Sequence, residues 1–266
     1  MTRLTESDIA GSADLLEKYD LYLKELCGVG LAGIASAASK KNEILARAPR
    51  VAVIPITSGL GVINGFSETV AGIAGFLGFD ARVTGAADIA GVAEAVSGQY
   101  DIIMAADDDT FIAVNLKKRL VSDNGEATGR GYATALSLAS GGLRGKNVLM
   151  LGAGPVGRAA AETMLSDGAA LTVFDIDRGK AESLRLVHPS VRIADNLADA
   201  LSAHSLLFDA TPVGPFIGKG ALRDDAILSA PGVPLCLDAE CEAWMRGRLL
   251  HDALEIGVAT MLFDVL

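Results

Sequence analysis

The residues Gly152-Ala153-Gly154-Pro155-Val156-Gly157 follow directly on the apolar run Val148-Leu149-Met150-Leu151, which is the strand–turn–helix grammar of a dinucleotide-binding crevice. In that grammar Gly152 allows a tight turn, Gly154 lets the backbone approach a pyrophosphate, and Gly157 lets the helix pack closely on the strand. The phosphates then lie over the helix N-terminus, so Ala153, Pro155 and Val156 also count as cofactor contacts. In a chain with 30 glycines the spacing alone is weak. Two neighbours strengthen it. Residues 147–151 read as a buried strand, and Leu171-Thr172-Val173-Phe174 reads as a second strand ending at Asp175, about 20 residues on, where an acid bonds the adenosine ribose hydroxyls. That charge repels a 2′-phosphate, which favours NAD over NADP, although Arg178 could serve a 2′-phosphate instead. Asp177 reads as a helix cap.

Other residues stand where strands end. In Asp209-Ala210-Thr211-Pro212-Val213-Gly214 the loop after a strand of the nucleotide unit is stiffened by Pro212, so Ala210, Thr211 and Pro212 are expected to flank the cofactor. Asp107-Asp108-Asp109 follows an earlier strand, at the edge where open α/β sheets gather ligands, and suits a cation; the bland alternative is a solvated loop or helix cap. Ser58 and Glu68 belong to loops one unit earlier, and with the aspartates they outline an acidic pocket. Asp238-Ala239-Glu240 could face the cofactor or simply start a helix. No metal is expected, because hydride transfer needs none and His188, His204 and His251 are scattered. Cys27, Cys236 and Cys241 lack paired spacing and read as core thiols.

Composition bounds the class. The 266 residues are 50% hydrophobic with net charge -10, enough core for one large or two modest domains and a surface that repels nucleic acid and anionic membranes. No charge-free apolar run reaches the roughly 18 residues of a membrane span, and the N-terminus lacks a signal-peptide core, so a cytoplasmic enzyme is expected.

The elements that position these residues follow from periodicity. Residues 5–47 read as two or three helices, with Thr5 and Asp8 as a capping box and Ile9, Leu15, Leu16, Tyr19, Leu23 and Leu26 at helical spacing. Beyond Pro49, strands at 51–54, 81–84 and 101–104 alternate with helices near 67–77 and 87–98, which implies parallel sheet with right-handed crossovers. A further strand is expected within 111–120, a turn at 122–125 and a helix near 128–140. After the nucleotide strand come helices at 156–166, 178–186 and 196–203, strands at 171–174, 191–193, 206–209 and 235–238, and a closing helix at 247–257. The expected fold is α/β: an N-terminal helical cap (1–48), a small α/β substrate-side unit (49–140) and a C-terminal Rossmann domain (141–266) with a doubly wound parallel sheet of six or seven strands. Two such units leave a cleft, a usual place for cofactor and substrate.

On these residues the chain resembles the PylD family, the dehydrogenases that complete pyrrolysine biosynthesis. The likeness lies in Val53-Ile54-Pro55-Ile56-Thr57-Ser58-Gly59-Leu60-Gly61 with Gly65-Phe66-Ser67-Glu68-Thr69, in Ala106-Asp107-Asp108-Asp109, in the glycine turn and in the helical cap, and it covers essentially the whole chain. The first segment paired with the acidic loop is the distinctive part. The resemblance implies NAD-dependent oxidation of (3R)-3-methyl-D-ornithyl-N6-L-lysine. Hydride leaves the carbon bearing the terminal ornithine amine, giving an imine or aldehyde; the α-amine attacks, ammonia is lost and a pyrroline ring closes. Such an isopeptide is a net cation, whose ammonium groups paired carboxylates would compensate. A proton must leave the reacting ammonium first, and Asp107 is the expected acceptor, with Asp108 or Asp109 next. Ser58, Glu68, Asp108 and Asp109 would hold polar ends of the substrate, and Leu4 would fold over the site to exclude water. Alternatives are a shikimate-dehydrogenase-like enzyme, for which the 53–61 segment lacks a lysine, a methylene-tetrahydropterin-dehydrogenase-like enzyme, or a non-enzymatic NAD sensor. The apolar helices at 67–79 and 128–140 could serve a homodimer face or the core.

Overall fold

The computed structural model describes residues 12–41 and 48–266. Leu4 and the expected Thr5/Asp8 capping box lie outside the described residues. The described residues form two compact units, 12–21, 30–41, 48–127 and 253–266 in one and 22–29 and 128–252 in the other. Helices α1 (Ser12–Cys27) and α5 (Asn124–Ala139) each run from one unit into the other.

The first unit is built on five strands in the order β2-β1-β3-β4-β5: β1 (Arg50–Ile54), β2 (Asp80–Val83), β3 (Ile102–Ala106), β4 (Phe111–Asn115) and β5 (Leu120–Asp123). β1 pairs in parallel with β2 and β3, so the links between them cross over through α3 (Phe66–Phe76) and α4 (Asp88–Ser97). In α2 (Leu31–Ser39) the buried residues Leu31, Ile34, Ala35 and Ala38 recur at helical spacing, and this stripe belongs to a helix packed on α10 (Glu255–Asp264). The expected closing helix at 247–257 is therefore displaced: α10 starts at Glu255, is buried from Glu255 to Leu262, and returns to the first unit rather than ending the nucleotide domain. A helix buried on nearly every side has no single apolar stripe, which hid its boundaries.

The strand expected within 111–120 is β4, and a further antiparallel strand, β5, follows it through a tight connection. Asn115 makes this turn: its Oδ1 accepts from the amides of Lys117 (3.0 Å) and Lys118 (2.9 Å), and Arg119 adopts φ 57°. Nor is 122–125 a turn. Asp123 ends β5 and its Oδ1 accepts from Glu126 N at 3.1 Å, so α5 starts directly at Asn124. The Asn115 amide also donates to Val265 O at 2.8 Å in the interior. Asn115→Ala removes three hydrogen bonds, and urea unfolding should register a loss of about 2–3 kcal/mol; a loss within about 0.5 kcal/mol, the usual scale of a surface change, would assign those groups other partners.

The second unit holds six parallel strands in the order β11-β10-β9-β6-β7-β8: β6 (Asn147–Leu151), β7 (Ala170–Phe174), β8 (Arg192–Ile193), β9 (Leu206–Asp209), β10 (Ile227–Ser229) and β11 (Leu249–Leu250). Counted from β6 this is the 3-2-1-4-5-6 order of doubly wound dinucleotide-binding sheets. Helices α6 (Pro155–Ser166), α7 (Arg178–Val187) and α8 (Leu197–Ala203) connect the first four strands, close to where periodicity placed them. The strand expected at 235–238 is absent. Leu237 makes only an isolated bridge to Ile217, and Cys236 and Leu237 are buried in the core as irregular chain. β10 and β11 fill the outer positions, three and two residues long, too short to carry an alternating pattern. Among the described residues no single helix is long and apolar enough to cross a membrane.

Candidate active site

At the carboxyl edge of the second sheet the three glycines separate into three physical roles. Gly152 has φ 87°, donates to Phe174 O at 2.9 Å, and a Cβ there would lie 2.9 Å from Ala210 O. At Gly157 a Cβ would meet Gly152 O at 2.1 Å, so α6 packs against the turn only without a side chain. Gly154 differs: it adopts φ -73°, ψ -170°, which any residue tolerates, and a Cβ would meet nothing within 4 Å. The open space lies at the N-terminus of α6, where Pro155 occupies the first turn and no side chain caps the helix. The first-turn amides of Val156 and Gly157 thus have no helical acceptor and face a position suited to an anion.

Asp175 directly follows β7 and steadies the turn from the side. Its Oδ2 accepts from Ala153 N and its Oδ1 from Asp177 N, both at 2.8 Å. Asp177 caps α7 by accepting from Gly179 N at 3.0 Å. Arg178 is engaged by Asp195 at 2.5 Å and Glu182 at 3.5 Å, and these carboxylates occupy the charge that a 2′-phosphate would need. The Ala210–Pro212 loop is tied to the same edge: Ala210 N donates to Leu151 O at 2.8 Å, and the amide and hydroxyl of Thr211 both donate to Asp209 Oδ1, at 3.1 and 2.7 Å. Asp238 takes the plainer of its two readings. It caps α9 (Ala239–Trp244) by accepting from Cys241 N at 2.8 Å.

In the first unit, the loops after β1, β2 and β3 are cross-tied by acids. Asp88, at φ 53°, accepts from Thr57 N (2.7 Å) and Thr57 Oγ1 (2.5 Å), and Asp108 Oδ2 accepts from Leu60 N at 2.8 Å. Ser58 and Gly59 are thus presented on an exposed loop held at both ends. Asp107 closes the link to β4, its Oδ1 accepting from the amides of Asp109 (2.9 Å) and Thr110 (2.8 Å). Asp107 and Asp109 are exposed, as is Glu68 in the first turn of α3, where the helix dipole favours its charge. The structure therefore ties Asp108 to the Ser58 loop and gives Asp107 a structural duty as well as a charge. Glu68 and Asp109 share this edge by connectivity. Sequence reasoning missed Asp88 and Glu94, whose carboxylate accepts from Gly85 N and Ala86 N at 3.0 and 2.9 Å, because both read as ordinary helix residues. It also passed over Asp209, although an acid closing the apolar strand Leu206-Leu207-Phe208 was a signal.

Amide hydrogen bonds hold the carboxyl pKa of Asp107 and Glu94 below the usual range, and the Thr57 hydroxyl and amide do the same for Asp88. Each group binds protons more weakly folded than unfolded. Its contribution to stability is therefore complete above the ordinary carboxylate pKa and is lost as pH falls through the lowered folded value. Each of the Thr57, Gly85, Ala86, Asp109 and Thr110 amide resonances should move on acidification at a pH below the ordinary value of the carboxyl group to which it donates. Movement in the ordinary range would refute these bonds.

Sheet order, glycine turn and the acid after β7 define a Rossmann-type protein with a dehydrogenase architecture. Shikimate 5-dehydrogenase from Thermus thermophilus, solved in complex with NADP(H) and shikimate, shares the fold at TM-score 0.54 and 19% identity, covering 82% of this chain and 94% of that one. Quinate dehydrogenase from Corynebacterium glutamicum, in complex with NAD, does so at TM-score 0.53 and 15% identity over 83% and 95%. Residues 8–122 match the N-terminal domain of pyrrolysine biosynthesis protein PylD. The pyrrolysine synthase of Methanosarcina barkeri is 32% identical over 274 residues, spanning 100% of this chain and 98% of its own. That of Methanosarcina acetivorans is 30% identical over 271 residues, 100% of both chains. The chain belongs to the pyrrolysine synthase (PylD) family. It is an enzyme of pyrrolysine biosynthesis built on a dehydrogenase fold.

Proposed function

We propose that this enzyme oxidises (3R)-3-methyl-D-ornithyl-N6-L-lysine with NAD at the carbon bearing the terminal ornithine amine, the product closing to pyrrolysine with loss of ammonia. The observation that carries the cofactor half is the open cradle at Gly154, flanked by the closed packing at Gly152 and Gly157 and by Asp175. These residues fit a dinucleotide: Gly152 to Gly157 would hold the pyrophosphate, Asp175 the ribose, and Ala210, Thr211 and Pro212 the nicotinamide side. When bound, NAD would supply the hydride acceptor. The engagement of Arg178 by Asp195 and Glu182 supports NAD over NADP.

The acidic carboxyl edge of the first unit supports a cationic substrate. Glu68, Asp108 and Asp109 would pair with its ammonium groups and Ser58 would accept or donate at a polar end. Asp107 would take the proton that must leave the reacting ammonium, directly or through water, and Leu4 would help exclude bulk water. The deciding experiment incubates the protein with NAD and the synthetic isopeptide, following NADH absorbance and the pyrroline product by mass. NADH formation with a pyrroline mass is expected; silence with that compound, alongside turnover of shikimate or a tetrahydropterin, would overturn the reading.

A further inference from the structure

Asp209 is fully buried at the end of β9, and nothing in the proposed chemistry uses it. Its Oδ1 accepts both bonds from Thr211, while Oδ2, equally buried, has no hydrogen-bond partner. Three other segments of the same unit crowd it. Gly232 N donates to Asp209 O at 3.2 Å, and a Cβ at Gly232 would lie 3.2 Å from Asp209 Oδ2 and 2.2 Å from Thr211 O. The Cys236 thiol lies beside the carboxyl and interacts with it, with its ionisation suppressed by burial and then by Asp209, but it makes no hydrogen bond of ordinary geometry to Oδ2. His251, whose Nδ1 is 2.7 Å from Ala230 O, is the nearby group able to carry positive charge; among the described residues no lysine or arginine forms an ion pair with Asp209.

A lone carboxylate with an unsatisfied oxygen in such surroundings carries a large desolvation penalty that neutralisation lowers, and burial accordingly pushes the Asp209 pKa up. Every unpaired buried oxygen calls for a reason, and here protonation supplies one. We propose that Asp209 is a positioning residue that works uncharged, a carboxylic acid locking the Ala210–Pro212 loop to the end of β9 and spacing it from Gly232. Because the Ala210 carbonyl abuts Gly152, the lock also sets the glycine turn. Only this last consequence for cofactor binding rests on the nucleotide reading above.

The test compares the full-length wild type with Asp209→Asn and Asp209→Ala, without cofactor and then with NAD. Asparagine keeps the acceptor for Thr211 and puts a donor where the acid proton sits, whereas alanine removes both. At neutral pH the infrared difference spectrum between wild type and Asp209→Asn should contain the C=O stretch of a protonated carboxylic acid. Asp209→Asn should keep the wild-type melting temperature and NAD affinity within roughly threefold, and Asp209→Ala should weaken NAD binding on the order of tenfold or more. A spectrum without the acid band, or Asp209→Asn as damaged as Asp209→Ala together with a displaced His251 titration by NMR, would overturn the proposal in favour of a charged Asp209–His251 pair. If Asp209→Ala does not fold, the infrared band and the Asp209→Asn melting still decide. Failure of the nucleotide reading would be distinct: wild type itself would bind no NAD, with the cofactor-free readouts unaffected.

Discussion

Gly154→Ala is expected to lose NAD binding on the order of a hundredfold, about 2.7 kcal/mol, while its urea unfolding stays at the wild-type midpoint. The two halves of this result come from one fact. The backbone at Gly154, φ -73° and ψ -170°, accepts alanine without strain, and the added methyl enters space that no protein atom fills within 4 Å. In the proposed complex that space belongs to the pyrophosphate, so the methyl displaces ligand rather than protein. Gly157→Ala is the contrast. Its methyl would arrive 2.1 Å from the Gly152 carbonyl, a backbone atom, and the turn must move. Overpacking of this kind costs about 1–3 kcal/mol of stability, and NAD binding should fall as well. Calorimetric titration with NAD and urea unfolding of both variants make the comparison. Wild-type affinity in Gly154→Ala would remove the glycine turn as a phosphate cradle.

Asp107→Asn should lower turnover about a hundredfold or more at saturating NAD, with little change in the KM of the isopeptide. The asparagine oxygen can still accept from the Asp109 and Thr110 amides, so the turn after β3 survives and the substitution isolates the charge. Asp107→Ala removes charge and turn together and should lose more. At Asp108 the same logic predicts another pattern: Asp108→Asn keeps the acceptor for Leu60 N but weakens ammonium pairing, raising KM about tenfold and leaving NAD affinity unchanged. The pH dependence follows from the lowered Asp107 pKa. The ammonium form is the one that brings its proton to ionised Asp107, so kcat/KM should fall in acid only as Asp107 itself is protonated, below the ordinary carboxylate range. Normal turnover by Asp107→Asn would exclude Asp107 as proton acceptor.

Much of this is legible in the amino-acid sequence alone. The glycine turn, the acid after β7 and the alternation of the inner strands with helices follow from local pattern, because a buried parallel strand is continuously apolar and the turn after it requires particular residues at fixed spacing. The acid-rich loop at 107–109 is visible for the same reason. Its ties to the neighbouring loops are not: that Asp108 holds Leu60 and that Asp88 clamps Thr57 are facts about residues far apart in the chain that no window contains. The misreadings share a cause. The segment at 235–238 is apolar because it is buried, not because it pairs, whereas β10 and β11 pair over too few residues to show a period. Periodicity does not locate the closing helix, because α10 is buried almost all round and shows no single apolar stripe.

By itself, then, the sequence determined the nucleotide turn from Gly152 to Gly157 and the α/β alternation around it, since both are enforced by steric and hydrophobic rules acting within a few residues. Only the tertiary structure decided that Gly154 is open while Gly152 and Gly157 are closed, that residues 253–266 return to the first unit, and that Asp209 is buried with an unpaired oxygen. Those outcomes depend on which distant backbone and side-chain atoms share the same space, and that is set by packing rather than by local pattern.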